Sequence, residues 1–350
     1  MGGSQRQGRL LQDNRFSLFE LNTDRHLESL ASEVRAGLTA TPKRIPCRFF
    51  YDEAGSQIFE EICELPEYYL TRAESEILQD RAQDVAQRFS LPISLVELGS
   101  GSSTKTRILI EALLREYDSL SYIPIDISPS ALEASAPQLL DDYKHLEIRA
   151  IAGEYQDGLR WIRSETQRPK LILWLGSSIG NLDRPGAERF VSNLRTGMNH
   201  EDRLLLGIDL RKDREALESA YDDSSGVTAR FNRNLLMRIN RELGGHFDPE
   251  AFDFQATYDE VAGNVVSQLR SRRDQTVRID ELDLEVPFEA GEMIHTENSF
   301  KYSRAEIDAL AHCTSFAVEE HWLDAKNRFS VNLFAPIRPN GPPRLHTEGR

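Results

Sequence analysis

The chain has 350 residues, 39% apolar and 28% charged, the composition of a globular protein with room for one large α/β domain or two smaller ones. A formal charge of -15 repels a phosphate backbone, and no basic stripe interleaved with aromatics offsets it, which argues against a nucleic-acid partner. No apolar run reaches the roughly 18 residues of a spanning helix, and the polar start from Met1 to Gly8 lacks the apolar stretch of a secretory signal. A cytoplasmic protein without a membrane partner is expected.

Residues 1 to 25 are polar and are expected to be flexible. Leu27, Leu30, Val34 and Leu38 then recur at helical spacing over Arg25 to Leu38. Ile58, Phe59 and Ile62 mark a short helical pattern that Leu65-Pro66 ends. Glu67 to Arg72 reads as a loop in which Thr71 caps a helix over Glu74 to Phe89. From Leu95 short apolar strands alternate with amphipathic helices, the pattern of a parallel doubly wound sheet. Strands are predicted at 95–98, 121–126, 146–151, 170–175 and 203–210, with helices over 104–117, 130–143 and 185–198. Residues 212–296 differ in character, with helical stretches at 214–221 and 227–243 and alternating segments near 265–277. An antiparallel pair near 315–322 and 329–336 completes the sheet. This predicts a flexible segment 1–25, a discontinuous α+β substrate-recognition domain of 26–72 and 212–296, and a cofactor-binding domain of 73–211 and 297–350.

Cys47, Cys63 and Cys313 lie too far apart for a disulfide framework or a zinc site, and no histidine pair stands at i, i+4 beside a carboxylate, so no metal is expected. The informative segment is Leu95-Val96-Glu97-Leu98-Gly99-Ser100-Gly101-Ser102-Ser103-Thr104-Lys105. Between a strand and a helix, Gly99 and Gly101 carry no Cβ to keep backbone N–H groups from a ligand. Thr104 occupies the place where a dinucleotide fingerprint wants a third small residue, and the glycine spacing before Lys105 does not suit a phosphate loop. Asp126, at the end of the second strand, is positioned to accept from ribose hydroxyls, and Glu154 and Tyr155 offer an acid and an aromatic to an adenine ring. Glu97 either meets the cationic end of a cofactor or braces the loop. An adenosine-type ligand is one reading of the loop, and a plain structural turn is the other. The antiparallel last strands and the missing third glycine favour methyl over hydride transfer. The loop Gly176-Ser177-Ser178-Ile179-Gly180-Asn181 falls at the switch point of such a sheet, where small residues ending in an amide suit a carboxylate; a turn capped by Asn181 is the alternative.

Further segments stand in order along the chain: Phe50-Tyr51-Asp52-Glu53-Ala54-Gly55-Ser56, Leu65-Pro66-Glu67-Tyr68-Tyr69-Leu70-Thr71-Arg72, Ala220-Tyr221-Asp222-Asp223, Phe231-Asn232-Arg233-Asn234 and Thr296-Glu297-Asn298-Ser299. With these and the two glycine-containing loops, the chain from about Arg35 to Ala335 resembles the histidine Nα-methyltransferases of ergothioneine biosynthesis, whose relatives include fungal enzymes that methylate a prenylated tryptophan. The resemblance implies a Rossmann-like class I methyltransferase sheet, mostly parallel with an antiparallel last strand. It implies S-adenosylmethionine as methyl donor, S-adenosylhomocysteine as product, no metal, and a monomer that trimethylates the α-amine of the small molecule L-histidine to its betaine, hercynine. It further implies that Asn181 and Tyr221 hold the substrate carboxylate, that Tyr68 and Glu297 recognise the imidazole and that Ser299 adds a ring contact. Tyr51, Gly99, Lys105, Asp126, Glu154 and Tyr155 match positions lining the cofactor pocket. Glu154 and Tyr155 replace the family's common aspartate and phenylalanine. Ser267 stands where the histidine enzymes carry a methionine beside the ring, and the lost bulk leaves open another aromatic amino acid, such as tryptophan or a derivative. A non-catalytic protein that binds S-adenosylmethionine or an amino acid is the remaining alternative.

Overall fold

A computed structural model describes residues 14–21, 25–101, 103–166 and 168–338. Residues 1–13 and 22–24, most of the stretch expected to be flexible, lie outside the described residues, as does Ser102 of the glycine loop. The first part of the chain runs β1 (Phe16–Glu20), α1 (Arg25–Leu38), β2 (Lys43–Arg44), α2 (Glu53–Glu64) and α3 (Leu70–Ala86). The wound part follows as β3 (Ser94–Leu98), α4 (Thr106–Glu116), β4 (Leu120–Asp126), α5 (Pro129–Asp142), β5 (Leu146–Ala152), α6 (Tyr155–Glu165), β6 (Lys170–Trp174), α7 (Arg184–Thr196) and β7 (Arg203–Asp209). Next come α8 (Arg214–Tyr221), α9 (Val227–Leu243), β8 (Phe252–Asp259), β9 (Asn264–Ser271), β10 (Gln275–Ile279), β11 (Leu284–Phe288) and β12 (Met293–Phe300), and the chain closes with α10 (Arg304–Cys313), β13 (Phe316–Leu323) and β14 (Phe329–Pro336).

The main sheet has the order β1-β5-β4-β3-β6-β7-β14-β13. Its strands are parallel from β1 to β7, while β14 pairs antiparallel with both β7 and β13. This is the expected α/β class I methyltransferase arrangement. Every residue of β3 and β6 is buried, which is why these strands read as continuous apolar runs rather than as alternations. The strand order reverses between β3 and β6, and a crevice at the carboxyl ends of such strands is where this architecture binds ligands. Gly99, Asp126, Glu154, Asn181 and Asp209 all stand in or beside the segments leaving those ends.

A second sheet, β2-β12-β9-β8, is joined by the hairpin β10-β11. The four-residue 3-10 turn Ser178–Asn181 packs on β12, and α2 packs on α9. A Cβ on Gly180 would lie 2.9 Å from the Phe300 carbonyl, so the turn can sit this close to β12 only with glycine there.

Several boundaries differ from the sequence reading. Phe16 and Leu18 alternate inward in β1, an edge strand paired with β5, although their polar surroundings predict a flexible segment. The stretch Glu67 to Arg72 is not all loop: α3 starts at Leu70 with Tyr69 as N-cap, because Leu70 and Ala73 extend its buried face by one turn, and Thr71 lies inside that turn. β12 crosses the expected domain boundary at 296/297 unbroken, so Glu297 and Ser299 belong to the second sheet. α6 and α10 have no counterpart among the predicted helices.

Candidate active site

The turn after β3 is built around positive φ. Gly99 has φ +75°, Gly101 φ +47° and Ser103 φ +54°. A Cβ on Gly99 would lie 2.4 Å from the Tyr155 hydroxyl, so both the backbone conformation and the close approach require glycine there. Asp126 Oδ2 accepts the Gly101 N–H (3.2 Å) and Oδ1 accepts the Ser128 N–H (3.0 Å), which ties the ends of β3 and β4 together. Burial raises the Asp126 carboxyl above its ordinary value, and these backbone donors partly offset it.

Glu97 braces the loop, one of its two expected roles. Its carboxylate accepts from Thr106 Oγ1 (2.6 Å) and from the Tyr122 hydroxyl, which in turn lies 3.0 Å from Ser103 Oγ. Burial pushes Glu97 up to about 7. Lys105 pairs with the fully buried Glu74, whose oxygens also accept the Gly176 N–H (2.9 and 3.0 Å). Lys105 thus locks the turn after β3 to the turn after β6. Glu154 is exposed at the N-terminus of α6, beside Tyr155, whose ring meets Phe190 edge-on at 6.0 Å. Ser100 Oγ is buried in the same loop and has no hydrogen-bond partner among the described residues. A glycine cradle, an orphaned hydroxyl, a carboxylate and an acid-aromatic pair form a donor and acceptor set that fits an adenosine-type group.

Across the crevice, β12 carries a register shift between His295 and Glu297 against β9, a bulge that re-aims the residues after it. Thr296 anchors it: its hydroxyl reaches Asn232 Oδ1 (2.7 Å) and the Ser267 carbonyl (3.0 Å). Glu297 then stands in direct register with Ser267, whose buried Oγ has no hydrogen bond of good geometry. Glu297 is half-buried, and burial pushes its carboxyl up to about 7, with Lys301 pulling the other way. Ser299 Oγ lies 2.8 Å from the Tyr221 hydroxyl, and the Tyr221 ring meets Tyr68 edge-on at 6.2 Å. Tyr68 continues to Phe59 (6.3 Å), and Phe59 to Tyr51 (5.5 Å), which forms an aromatic wall. Tyr51 is raised by burial first and by Glu297 second, and Cys47, pushed up to about 12 by burial, also feels Glu297. Tyr155 is raised by burial, then by Asp126, and also by Cys47. Tyr51 and Cys47 thus lie near enough to Glu297 to feel its charge, and Cys47 near enough to Tyr155, the side chain packed against Gly99. Asn181 is half-buried at the end of the 3-10 turn against β12.

Sequence reasoning missed the ionic cluster beside Tyr221 and Ser299. Lys301 and Asp209, both fully buried, pair at 2.8 Å; Asp209 also pairs with Lys212 (2.6 Å) and accepts from the Tyr69 hydroxyl (2.9 Å to each oxygen). The signal was available in strand periodicity, since Glu297, Ser299 and Lys301 alternate onto one face. Among the described residues no group of histidine, cysteine or acidic side chains is arranged to hold a metal ion, and no helix is long and apolar enough to cross a membrane.

The family described as histidine-specific, S-adenosylmethionine-dependent methyltransferases matches residues 30–336. The chain is 41% identical to the histidine N-alpha-methyltransferase of Mycobacterium tuberculosis over 88% of its own length and 95% of the relative's. It is 40% identical to the enzyme of the same name from Mycolicibacterium smegmatis over 89% and 97%. It is 32% identical to ergothioneine biosynthesis protein 1 of Neurospora crassa, over 85% of this chain and 34% of that longer protein. The glycine cradle, the reversed sheet order and these matches over most of the chain lead to one conclusion: the chain belongs to the histidine-specific, S-adenosylmethionine-dependent methyltransferase family.

Proposed function

We propose that the chain is a cytoplasmic enzyme that transfers three methyl groups in succession to the α-amine of L-histidine, giving the betaine hercynine. The observation that supports this reading is the run of contacts from Ser299 through Tyr221, Tyr68 and Phe59 to Tyr51, which feels both Glu297 and Tyr155, the side chain packed against Gly99. Residues 26–72 and 212–300 form the amino-acid side, with the boundary moved past Phe300, and residues 73–211 with 301–338 form the cofactor side. The bound sulfonium supplies an activated methyl group, so the protein's task is alignment and exclusion of water. Gly99, Gly101, Asp126, Glu154 and Tyr155 hold the nucleoside. Asn181 and Tyr221 hold the substrate carboxylate, while Glu297, helped by Ser299 and Tyr68, accepts the imidazole N–H and fixes the ring. Anchored at both ends, the amino acid presents its nitrogen toward Tyr51 and the cofactor. The amine attacks only when neutral, and its proton leaves through water, because an α-amine titrates near 8 and needs no strong base.

Asn181→Ala is expected to raise the histidine KM by about tenfold or more with a much smaller change in kcat, as loss of one hydrogen bond to a charged group implies. An unchanged KM would remove Asn181 from the carboxylate site. Ser267, opposite Glu297, supports a second reading in which a larger aromatic amino acid is accepted. Glu297→Ala separates the two: selective loss of histidine turnover supports histidine, and indifference supports the larger ring.

A further inference from the structure

Lys301 is 0% exposed, and its ammonium has three N–H bonds to give. They are all used inside the protein, on Asp209 Oδ2 (2.8 Å), the Tyr221 hydroxyl oxygen (2.8 Å) and Ser299 Oγ (2.9 Å). Tyr221 Oη and Ser299 Oγ lie 2.8 Å apart, so one of them donates to the other. Each oxygen already accepts from Lys301, and neither has another partner among the described residues. Three N–H and two O–H donors therefore serve only four contacts. One hydroxyl proton is left over, with no acceptor among the described residues.

Lys301 and Lys212 both pair with the single carboxylate of Asp209; burial pulls Lys212 down to about 8, and Lys301 is also felt by Glu297. Tyr69 donates its hydroxyl to Asp209 and adds no charge. Burial opposes the charge on Lys301, but Asp209 and Tyr221 outweigh it and hold the ammonium up at about 12.

On the reading that the substrate is an α-amino acid, we propose that Lys301 is a positioning residue for its carboxylate: it holds the Tyr221 and Ser299 hydroxyls as acceptors, which frees one hydroxyl proton of the pair for the substrate anion. Lys301 makes no contact with the substrate itself. It acts through Tyr221 and Ser299, and the buried ion pair with Asp209 keeps it in place. Neutralising Lys301 weakens recognition of the carboxylate beyond any effect passed to the ring site through Ser299 and Glu297.

The test compares histidine with histidinamide, its neutral carboxamide, by titration calorimetry on protein saturated with S-adenosylhomocysteine. The unsubstituted protein is expected to bind histidine about 10- to 100-fold more tightly than histidinamide, the range for a hydrogen bond to a charged group. Lys301→Met is expected to erase most of that ratio by weakening histidine more than histidinamide, and to raise KM far more than it lowers kcat. If Lys301→Met does not fold, Lys301→Met/Asp209→Asn removes both charges of the pair, and the same collapse of the ratio is expected. An unchanged ratio in the variant, or equal affinity for the two ligands in the unsubstituted protein, overturns the proposal. Failure of the unsubstituted protein to methylate any amino acid overturns the underlying functional reading instead.

Discussion

Glu297 carries a cost that can be measured. Its carboxyl is held up at about 7 by burial, against an ordinary value of 4.5, so the folded protein prefers it protonated. As pH rises from about 4.5 to about 7 the unfolded chain ionises this group more readily than the folded one, and stability falls across that window and then levels off. Glu297→Gln is therefore expected to raise the melting temperature of the ligand-free protein at pH 8 and to change it little at pH 5, while weakening histidine binding at both. An equal shift at both pH values would contradict the buried-carboxylate assignment. At Gly99 any side chain meets the Tyr155 hydroxyl and must also adopt φ +75°. Gly99→Ala is expected to weaken S-adenosylhomocysteine binding by roughly tenfold or more, from strain of about 1–3 kcal/mol. Adding Tyr155→Phe is expected to recover part of that loss. The role of Gly99 was legible in the sequence because a strand-to-helix turn is a local event. The choice between two roles for Glu97 was not, because Tyr122, which donates to it, comes from the neighbouring strand.

At the scale of elements, the bulge in β12 decides which face the Glu297-Ser299-Lys301 series presents. Thr296 is held there by Asn232, itself fully buried in α9 and donating to the Thr228 carbonyl (3.1 Å). Asn232→Leu leaves the buried Thr296 hydroxyl with only the Ser267 carbonyl. It is expected to cost about 1–3 kcal/mol in urea unfolding. The histidine KM should rise while S-adenosylhomocysteine affinity stays within about twofold; an equal loss of both would show that α9 supports the whole molecule rather than the bulge. The parallel strands β3 to β7 were legible because each is a short apolar run followed by a helix. β12 was not, because its pattern is broken by the bulge and its partners β9 and β2 come from distant parts of the chain. β1 escaped notice for a related reason: an edge strand needs only two inward residues, Phe16 and Leu18.

The whole molecule joins two sheets, one that ends in the glycine loop and Asp126 and one that carries β12, with the 3-10 turn of Asn181 packed against that strand. The proposed site residues run from Tyr51 to Ser299, a span no local pattern reveals. Resemblance to a family supplied those positions, and the fold links Ser299, Tyr221, Tyr68 and Tyr51 through neighbouring side chains. The central claim is trimethylation of histidine, and mass spectrometry of reactions containing S-adenosylmethionine and a panel of amino acids tests it most directly. The account predicts that histidine gains one, two and finally three methyl groups on its α-nitrogen, with one S-adenosylhomocysteine released per methyl. Cofactor binding without methyl transfer to histidine, or transfer confined to tryptophan or its derivatives, would contradict it.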